Sequence, residues 1–416
     1  MTIKYLRTFL LILFVLKSFV INAQNQTDVD LNFPLDTFNN EIKTSAIQVD
    51  GKVLIGGSFT SYNGSNYNRL IRLNSDGSPD NTFDIGVGFN GGVNTVIIQS
   101  DGKIVVGGNF TSFNGTSQGN IIRLNQNGTK DTTFNVNTGF IHPIYYSSVS
   151  TIKIQNNGKI LVGGSFSTFN DIPCKGIVRL NNDGTIDNSF TFNINLSGIS
   201  AIEIQTDGKI LAGAFGNYLN NTIVTGGLIR LNSNGTIDNT FNIGTGSNAP
   251  ICSIKIQTDG KIIIGGQFDS FNGLNRARLL RLNTDGSVDT SFNNGSGFTI
   301  NDACIVYDIL IQSDGKIVIG GSLSVYNGSS QGGLIRLLSD GIFDATFSGG
   351  QGVIGTVYSI NIDSNNKLII GGNYKGYQKN YLQPIRYNKR YLMRLNQDGL
   401  IDENFITVKG FDEKIK

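Results

Sequence analysis

Residues Val93–Phe134 open VNTVIIQSDGKIVVGGNFTSFNG and, after a short link, continue NIIRLNQNGTKDTTF. The same wording returns along the whole chain. The lysine behind its first turn falls at Lys52, Lys103, Lys159, Lys209, Lys261, Lys316 and Lys367, at spacings of 51, 56, 50, 52, 55 and 51 residues. Self-similarity at such a period marks a propeller, a solenoid or an array. Within the unit, the apolar alternation of Val96 and Ile98 ends at Asp101-Gly102, and a second apolar run starts at once. Ile121–Asn125, the turn Asn127-Gly128 and Asp131–Asn135 complete it. Alternation bounded by Asp-Gly or Asn-Gly is the hairpin pattern, because glycine accepts the positive φ of a tight turn. Four short antiparallel strands fill a repeat of this length and match a propeller blade. The expected fold is therefore all-β: a single seven-bladed β-propeller of four-stranded antiparallel blades. It would occupy residues 25–406 in units of about 50–58 residues, behind a signal peptide over 1–24 and before a short tail over 407–416.

Recurrence sorts the side chains. A Gly-Gly pair stands at Gly56, Gly107, Gly163, Gly265, Gly320 and Gly371, with Gly213-Ala214 as the variant. Glycine inside a strand weakens it unless something approaches closely, so the second strand is expected to lie against the next blade. The aromatic residues that follow (Phe59, Phe110, Phe166, Phe268, Tyr374) and those ending the fourth run (Phe83 to Phe405) read as core. Arg72, Arg123, Arg179, Arg230, Arg281, Arg336 and Arg394 occur in every copy, as do Asp80, Asp131, Asp187, Asp238, Asp289, Asp344 and Asp402. A residue present in every blade is architectural: the arginine stem covers apolar surface and its head meets a carboxylate or turn carbonyls.

The wording DGKIxVGGxF, followed by RLNxDGxxDxxF, resembles the delta-60 repeat of secreted bacterial proteins from Leu35 to about Phe405. That resemblance implies a β-propeller and no known enzymatic activity. Two copies depart from it, with Asn365-Asn366 in place of Asp-Gly and Ala214 in place of the second glycine.

The ends are read separately. Lys4 and Arg7 precede the apolar run Thr8–Leu16, and Ile21-Asn22-Ala23-Gln24 suits signal-peptidase cleavage. Lys17 interrupts the run, which falls short of the ~20 residues of a membrane span, so no transmembrane anchor is expected. The destination is the periplasm, the cell surface or the medium. Phe33–Phe38 aligns with Ser78–Phe83 as an eighth copy of the fourth run, and is expected to pack where the first and last blades meet. Three cysteines, Cys174, Cys252 and Cys304, make no disulfide framework. They read as apolar thiols, with Cys174 partly exposed in a longer loop.

Function is written less plainly. A net charge of +2 offers no general pull on nucleic acid. The two hairpin turns of each unit lie on one face, whereas the two-three loops and the links lie on the other and carry all the length variation, where binding residues concentrate. Two segments there supply the candidate ligand-binding residues. The link Phe140–Ser150 holds His142, Tyr145 and Tyr146. The last two-three loop, Lys375–Tyr391, holds Lys375, Lys379, Tyr381, Arg386, Tyr387 and Arg390 with no acidic residue. Cations interleaved with aromatics hold anionic glycans or stack on sugars. The aromatic-Asn-Gly sequences at Tyr62, Phe113, Phe271 and Tyr326 form a second aromatic set, read as turn packing.

Asn74-x-Asp76-Gly77-x-x-Asp80 resembles a calcium loop, but its oxygen count falls short of six to eight and a plain hairpin explains it. No cofactor or metal is expected. Asp171, Asp302 and Asp308 are the odd acids of the variable face, yet no spacing marks a catalytic pair, and a single histidine makes no triad. The reading is an exported, non-catalytic scaffold that binds a protein or polysaccharide at or outside the cell surface through its variable loops. The alternatives are a purely structural or adhesive module and, behind it, a polysaccharide-active enzyme.

Overall fold

The computed structural model describes residues 38–142, 146–192, 196, 198–215, 218–219, 222–223, 227–298, 304–323, 325–347, 352–378 and 390–405. The expected signal peptide over 1–24, residues 33–37 of the eighth copy and the expected tail over 407–416 lie outside them. All regular structure in the described residues is β, with no helix. Every copy of the repeat folds into one three-stranded antiparallel sheet in the order inner, middle, outer. The inner strands are Ile42–Ile47, Val93–Ile98, Ser148–Ile154, Ile199–Ile204, Ile251–Ile256, Val306–Ile311 and Gly352–Ile362. The outer strands are short, such as Leu70–Leu73 and Ile121–Leu124.

The expected fourth strand does not form. Its place is taken by a single bridge, Leu73↔Pro79 in the first sheet and Leu124↔Lys130 in the second, after which the chain turns. The cause is the recurring aspartate. Asp131 Oδ1 accepts the main-chain N–H of Thr133 at 3.0 Å and its hydroxyl at 2.7 Å. This local bond competes with a strand ladder. Blades are three-stranded with a pinned turn, which corrects the four-stranded reading.

Consecutive sheets pack through glycine. A methyl built on Gly56 would stand 2.6 Å from Val93 Cγ1, and on Gly107 2.5 Å from Val149 Cγ1, each on the inner strand of the next sheet. At Gly371 it would meet Ile42 Cγ2, so the seventh sheet faces the first in the same manner. The apolar cluster around Ile42, Val53 and Ile55 accordingly includes Ile369, Leu392 and Phe405 from the far end of the chain. Burying such side chains supplies about 1.5–3 kcal/mol each.

Polar groups repeat the pattern. Arg72 Nε donates to Asp80 Oδ2 at 2.7 Å, and the other six pairs lie between 2.5 and 2.8 Å. Each guanidinium also lies 4.4–4.8 Å from the centre of a phenylalanine ring, Phe83 in the first sheet and Phe405 in the seventh. Its Nη1 reaches a turn carbonyl of the following sheet, as in Arg72 to Gln126 O at 2.5 Å and Arg281 to Ser339 O at 2.6 Å. Arg394 closes the series on Ser75 O at 2.5 Å. The turn lysines join the same carboxylates, Lys103 to Asp131 at 2.9 Å for example, except Lys316, which pairs with Asp314 in its own turn. Burial alone would raise the Asp131 carboxyl, but hydrogen bonds from Thr133, Lys103 and Arg123 hold it far below the usual carboxylate range.

Phe38 corrects the alignment of the eighth copy. It bridges Tyr62 just as Phe89 bridges Phe113 and Phe298 bridges Tyr326, so it takes the place of a link residue, not of Phe83. It does not compete with Phe405, which lies under Arg394. Both still meet in the cluster between the first and seventh sheets.

Candidate functional site

The inner strands run side by side, and the strand Ile42–Ile47 touches both Val93–Ile98 and Gly352–Ile362. Near the start of each stands a uniform, buried residue: Ile42, Val93, Val149, Ile199, Ile251, Val306 and, further along its longer strand, Val357. Immediately after each of them the pairing register slips by one residue. The seven extra residues are Lys43, Asn94, Ser150, Ser200, Cys252, Tyr307 and Tyr358. A bulge leaves its residue unpaired and re-aims the side chain, which is why bulges gather at functional sites. All seven are half-buried, and all seven line one cavity of about 850 Å³. That volume suits a small ligand or one end of a chain.

The wall is uneven. Tyr307 and Tyr358 occupy neighbouring bulges and meet edge to face, centroids 4.9 Å apart. Burial and the negative charge of Glu41 push the Tyr358 hydroxyl up to about 12. The bulges of the third and fourth sheets carry the small residues Ser150 and Ser200. Ser200 Oγ donates to Ile251 O at 2.5 Å, and Asn94 Nδ2 to Ser148 Oγ at 2.9 Å. Deeper, three consecutive inner strands place Lys153, Glu203 and Lys255 at one level, with Lys153 Nζ 2.9 Å from Glu203 Oε2.

Asp308 belongs to this wall rather than to a loop, which corrects its assignment to the variable links. One of its oxygens accepts the N–H of Ile309 at 2.9 Å and the other that of Ile360, in the next sheet, at 2.8 Å. Ser359 accepts the N–H of Ser45 at 3.1 Å in the same fashion. Burial pushes the Asp308 carboxyl above its ordinary value, against the pull of Lys255.

The sequence-derived candidates fall elsewhere. Lys379, Tyr381, Arg386, Tyr387 and Tyr145 lie outside the described residues, as does Asp302. Lys375 is exposed, but it sits in the extended middle strand Leu368–Gln378 and not in a loop. Arg390 is half-buried beside the last outer strand, Tyr146 is fully exposed, and His142 is half-buried. None of these described candidates lines the axial cavity. The loop aromatics are packing residues: Tyr62, Phe113, Phe271 and Tyr326 are buried, and the Tyr62 hydroxyl donates to Gly77 O at 2.9 Å.

Cys174 is buried, contrary to the expectation of partial exposure, whereas Cys252 is half-buried at the cavity. Asp76 Oδ1 accepts the N–H and hydroxyl of Ser78 at 2.9 and 2.6 Å, the plain hairpin arrangement. Sequence reasoning passed over the bulge residues because no residue type recurs there in every copy, and they stand inside a run otherwise read as core. The signal was there all the same: a varied column directly behind a uniform column of Ile or Val.

Solved structures similar to the chain include virginiamycin B lyase from Staphylococcus aureus, at 16% identity over 82% of this chain and 93% of that one, with a TM-score of 0.49. The WD40 β-propeller domain of Doa1 is similar at 14% identity over 86% and 94%, TM-score 0.48. The extracellular domain of a two component system of B. thetaiotaomicron is similar at 17% identity over 87% of this chain and 41% of that one, TM-score 0.38. No curated protein sequence matches. The family described as domain of unknown function (DUF5122) beta-propeller matches residues 48–83, 99–134, 155–190, 205–241, 257–292 and 312–347, together just over half of the chain. The chain thus belongs to the DUF5122 β-propeller family.

Proposed function

We propose that this chain is an exported, closed seven-bladed β-propeller, that it acts as a non-catalytic binding module, and that its ligand, a polysaccharide or a protein segment, enters the axial cavity from the loop-rich face. The observation that carries this reading is the ring of seven bulges. The scaffold holds seven equivalent positions toward one cavity and fills them with Lys, Asn, Ser, Ser, Cys, Tyr and Tyr. A purely structural module has no use for that variety beside so uniform a framework.

Closure is supported by Gly371 against Ile42 and by Arg394 on Ser75. Export rests on the leader sequence. The absence of catalysis rests on the three carboxylates of the cavity, each of which is engaged: Glu203 by Lys153, Glu41 by Ser58 Oγ at 3.2 Å, and Asp308 by two main-chain N–H groups.

Isothermal titration of the purified chain against polysaccharides and peptides, compared with Ser200→Trp, tests the reading. The indole would fill the cavity at a half-buried bulge, so binding should vanish while the melting temperature stays. Binding that survives Ser200→Trp, and is lost when Lys379, Arg386 and Tyr387 become Ala, would move the site to the last loop.

A further inference from the structure

The chemistry of the cavity wall narrows its ligand, granted that the cavity is the binding site. Charge comes first. Lys43, Lys153 and Lys255 line the cavity together with Glu41, Glu203 and Asp308, three cations against three carboxylates. A site for an anionic or cationic chain needs a surplus of the opposite sign to offset desolvation, and this wall has none.

Hydrogen-bonding capacity comes next. The Lys255 ammonium makes no hydrogen bond or close ion pair among the described residues, and the hydroxyls of Tyr307 and Tyr358 make no hydrogen bond there. Each inner strand pairs with its middle strand on one side only, and three such strands take a side-chain acceptor on the other: Ile309 from Ser253, Ile360 from Asp308, Ser45 from Ser359. The wall thus offers donors and acceptors interspersed, and its formal charges sum to zero. The third property is shape. Two neighbouring tyrosines make one apolar side, and Asn94, Ser150 and Ser200 make a small, polar one. Three residues separate the level of the bulges from that of Lys255, about 10 Å at the usual strand rise, the length of two pyranose rings.

We infer that the axial cavity binds a neutral saccharide. One ring lies against Tyr307 and Tyr358, and the next hydrogen-bonds with Lys255 and the Lys153–Glu203 pair. An uncharged ring with an apolar face and a rim of hydroxyls meets all three properties. A uronate or a basic peptide meets only the last.

Cys252 is a reporter already in place. It lines the cavity and is half-buried, while Cys174 and Cys304 are buried. Burial pushes its thiol up to about 11, so modification is best followed at mildly alkaline pH. The full chain is treated with a methanethiosulfonate reagent in the presence of oligosaccharides of glucose, mannose and N-acetylglucosamine, of oligogalacturonates, or of an oligolysine peptide. A neutral series should slow modification of Cys252. Tyr358→Ala should weaken that ligand about tenfold, and Tyr358→Phe much less, with Tyr358→Phe melting like the parent and Tyr358→Ala only slightly below it.

Protection by the galacturonates or by oligolysine, with none from neutral sugars, would overturn the saccharide class and leave the cavity reading standing. A neutral sugar that binds in titration while Cys252 reacts at its full rate would place the sugar elsewhere and sink both. No protection by any probe would likewise count against both.

Discussion

Arg123 and Asn94 belong to the same sheet, one on its outer strand and the other in the bulge of its inner strand. The arginine is copied in all seven sheets, and its surroundings are copied with it: an aspartate, a phenylalanine ring and a carbonyl of the next sheet. The asparagine is copied nowhere. Burial explains the difference. Arg123 is 3% exposed, so its charge survives only where every donor is met, and one solution recurs. The bulge residue is unpaired by construction and faces a cavity, so the fold asks little of it. Strain and desolvation fix the outer positions, and the inner ones are left to whatever the cavity holds.

Substitutions in the two regions should therefore part company, and the largest effect belongs to the outer one. Asp131→Ala leaves Arg123 and Lys103 without their carboxylate in a buried site, and should cost about 3–5 kcal/mol in denaturant unfolding while leaving ligand affinity intact in whatever fraction folds. A comparable loss from Asn94→Ala would erase the distinction.

The seam between the seventh and first sheets offers a sharper comparison. Gly371→Ala and Gly56→Ala should each cost about 1–3 kcal/mol by overpacking, because the same contact is made at both places. If Gly371→Ala proved nearly neutral in a urea titration, the ring would be an open arc in solution.

Acid probes the outer region as a set. Asp80, Asp131, Asp187, Asp238, Asp289, Asp344 and Asp402 are all held below the ordinary carboxylate value in the folded chain. A depressed folded pKa adds stability that is present above the unfolded value and lost as pH falls through the folded one. The melting temperature should hold steady down to about pH 4 and fall steeply below it. A decline beginning near neutrality would assign acid sensitivity to other groups.

The smallest change in stability belongs to the inner region. Tyr358→Ala forfeits the contact with Tyr307, worth at most about 1.5 kcal/mol, yet it should remove most of the ligand affinity. A loss of stability in Tyr358→Ala with ligand affinity untouched would mean that the tyrosine is packing rather than a contact.

The two regions were not equally legible from the sequence. Arg72, Asp80 and Phe83 could be placed by eye, since a residue written seven times betrays its role by repetition. The fourth run misled because its apolar and aromatic residues fit a strand, while the Asp131 side chain captures the backbone first. Phe38 was aligned by sequence with Phe83 and sits by geometry with Phe89. The cavity was hidden for a related reason. Alternation locates a strand but does not show a one-residue slip within it, and the slip is what turns Ser150, Cys252 or Tyr307 inward. Loop length points to Lys375–Tyr391 instead.

That slip has an evolutionary consequence. Copying a unit copies its scaffold and its inward-pointing residue together, so a ring fresh from duplication would present seven identical side chains to its axis. A single codon in each unit then suffices to make the lumen lopsided, while the arginine, aspartate and glycine joints between neighbours stay as they are. Relatives of this chain can be expected to keep the framework and respell those seven letters, much as a combination lock keeps its body and changes its code.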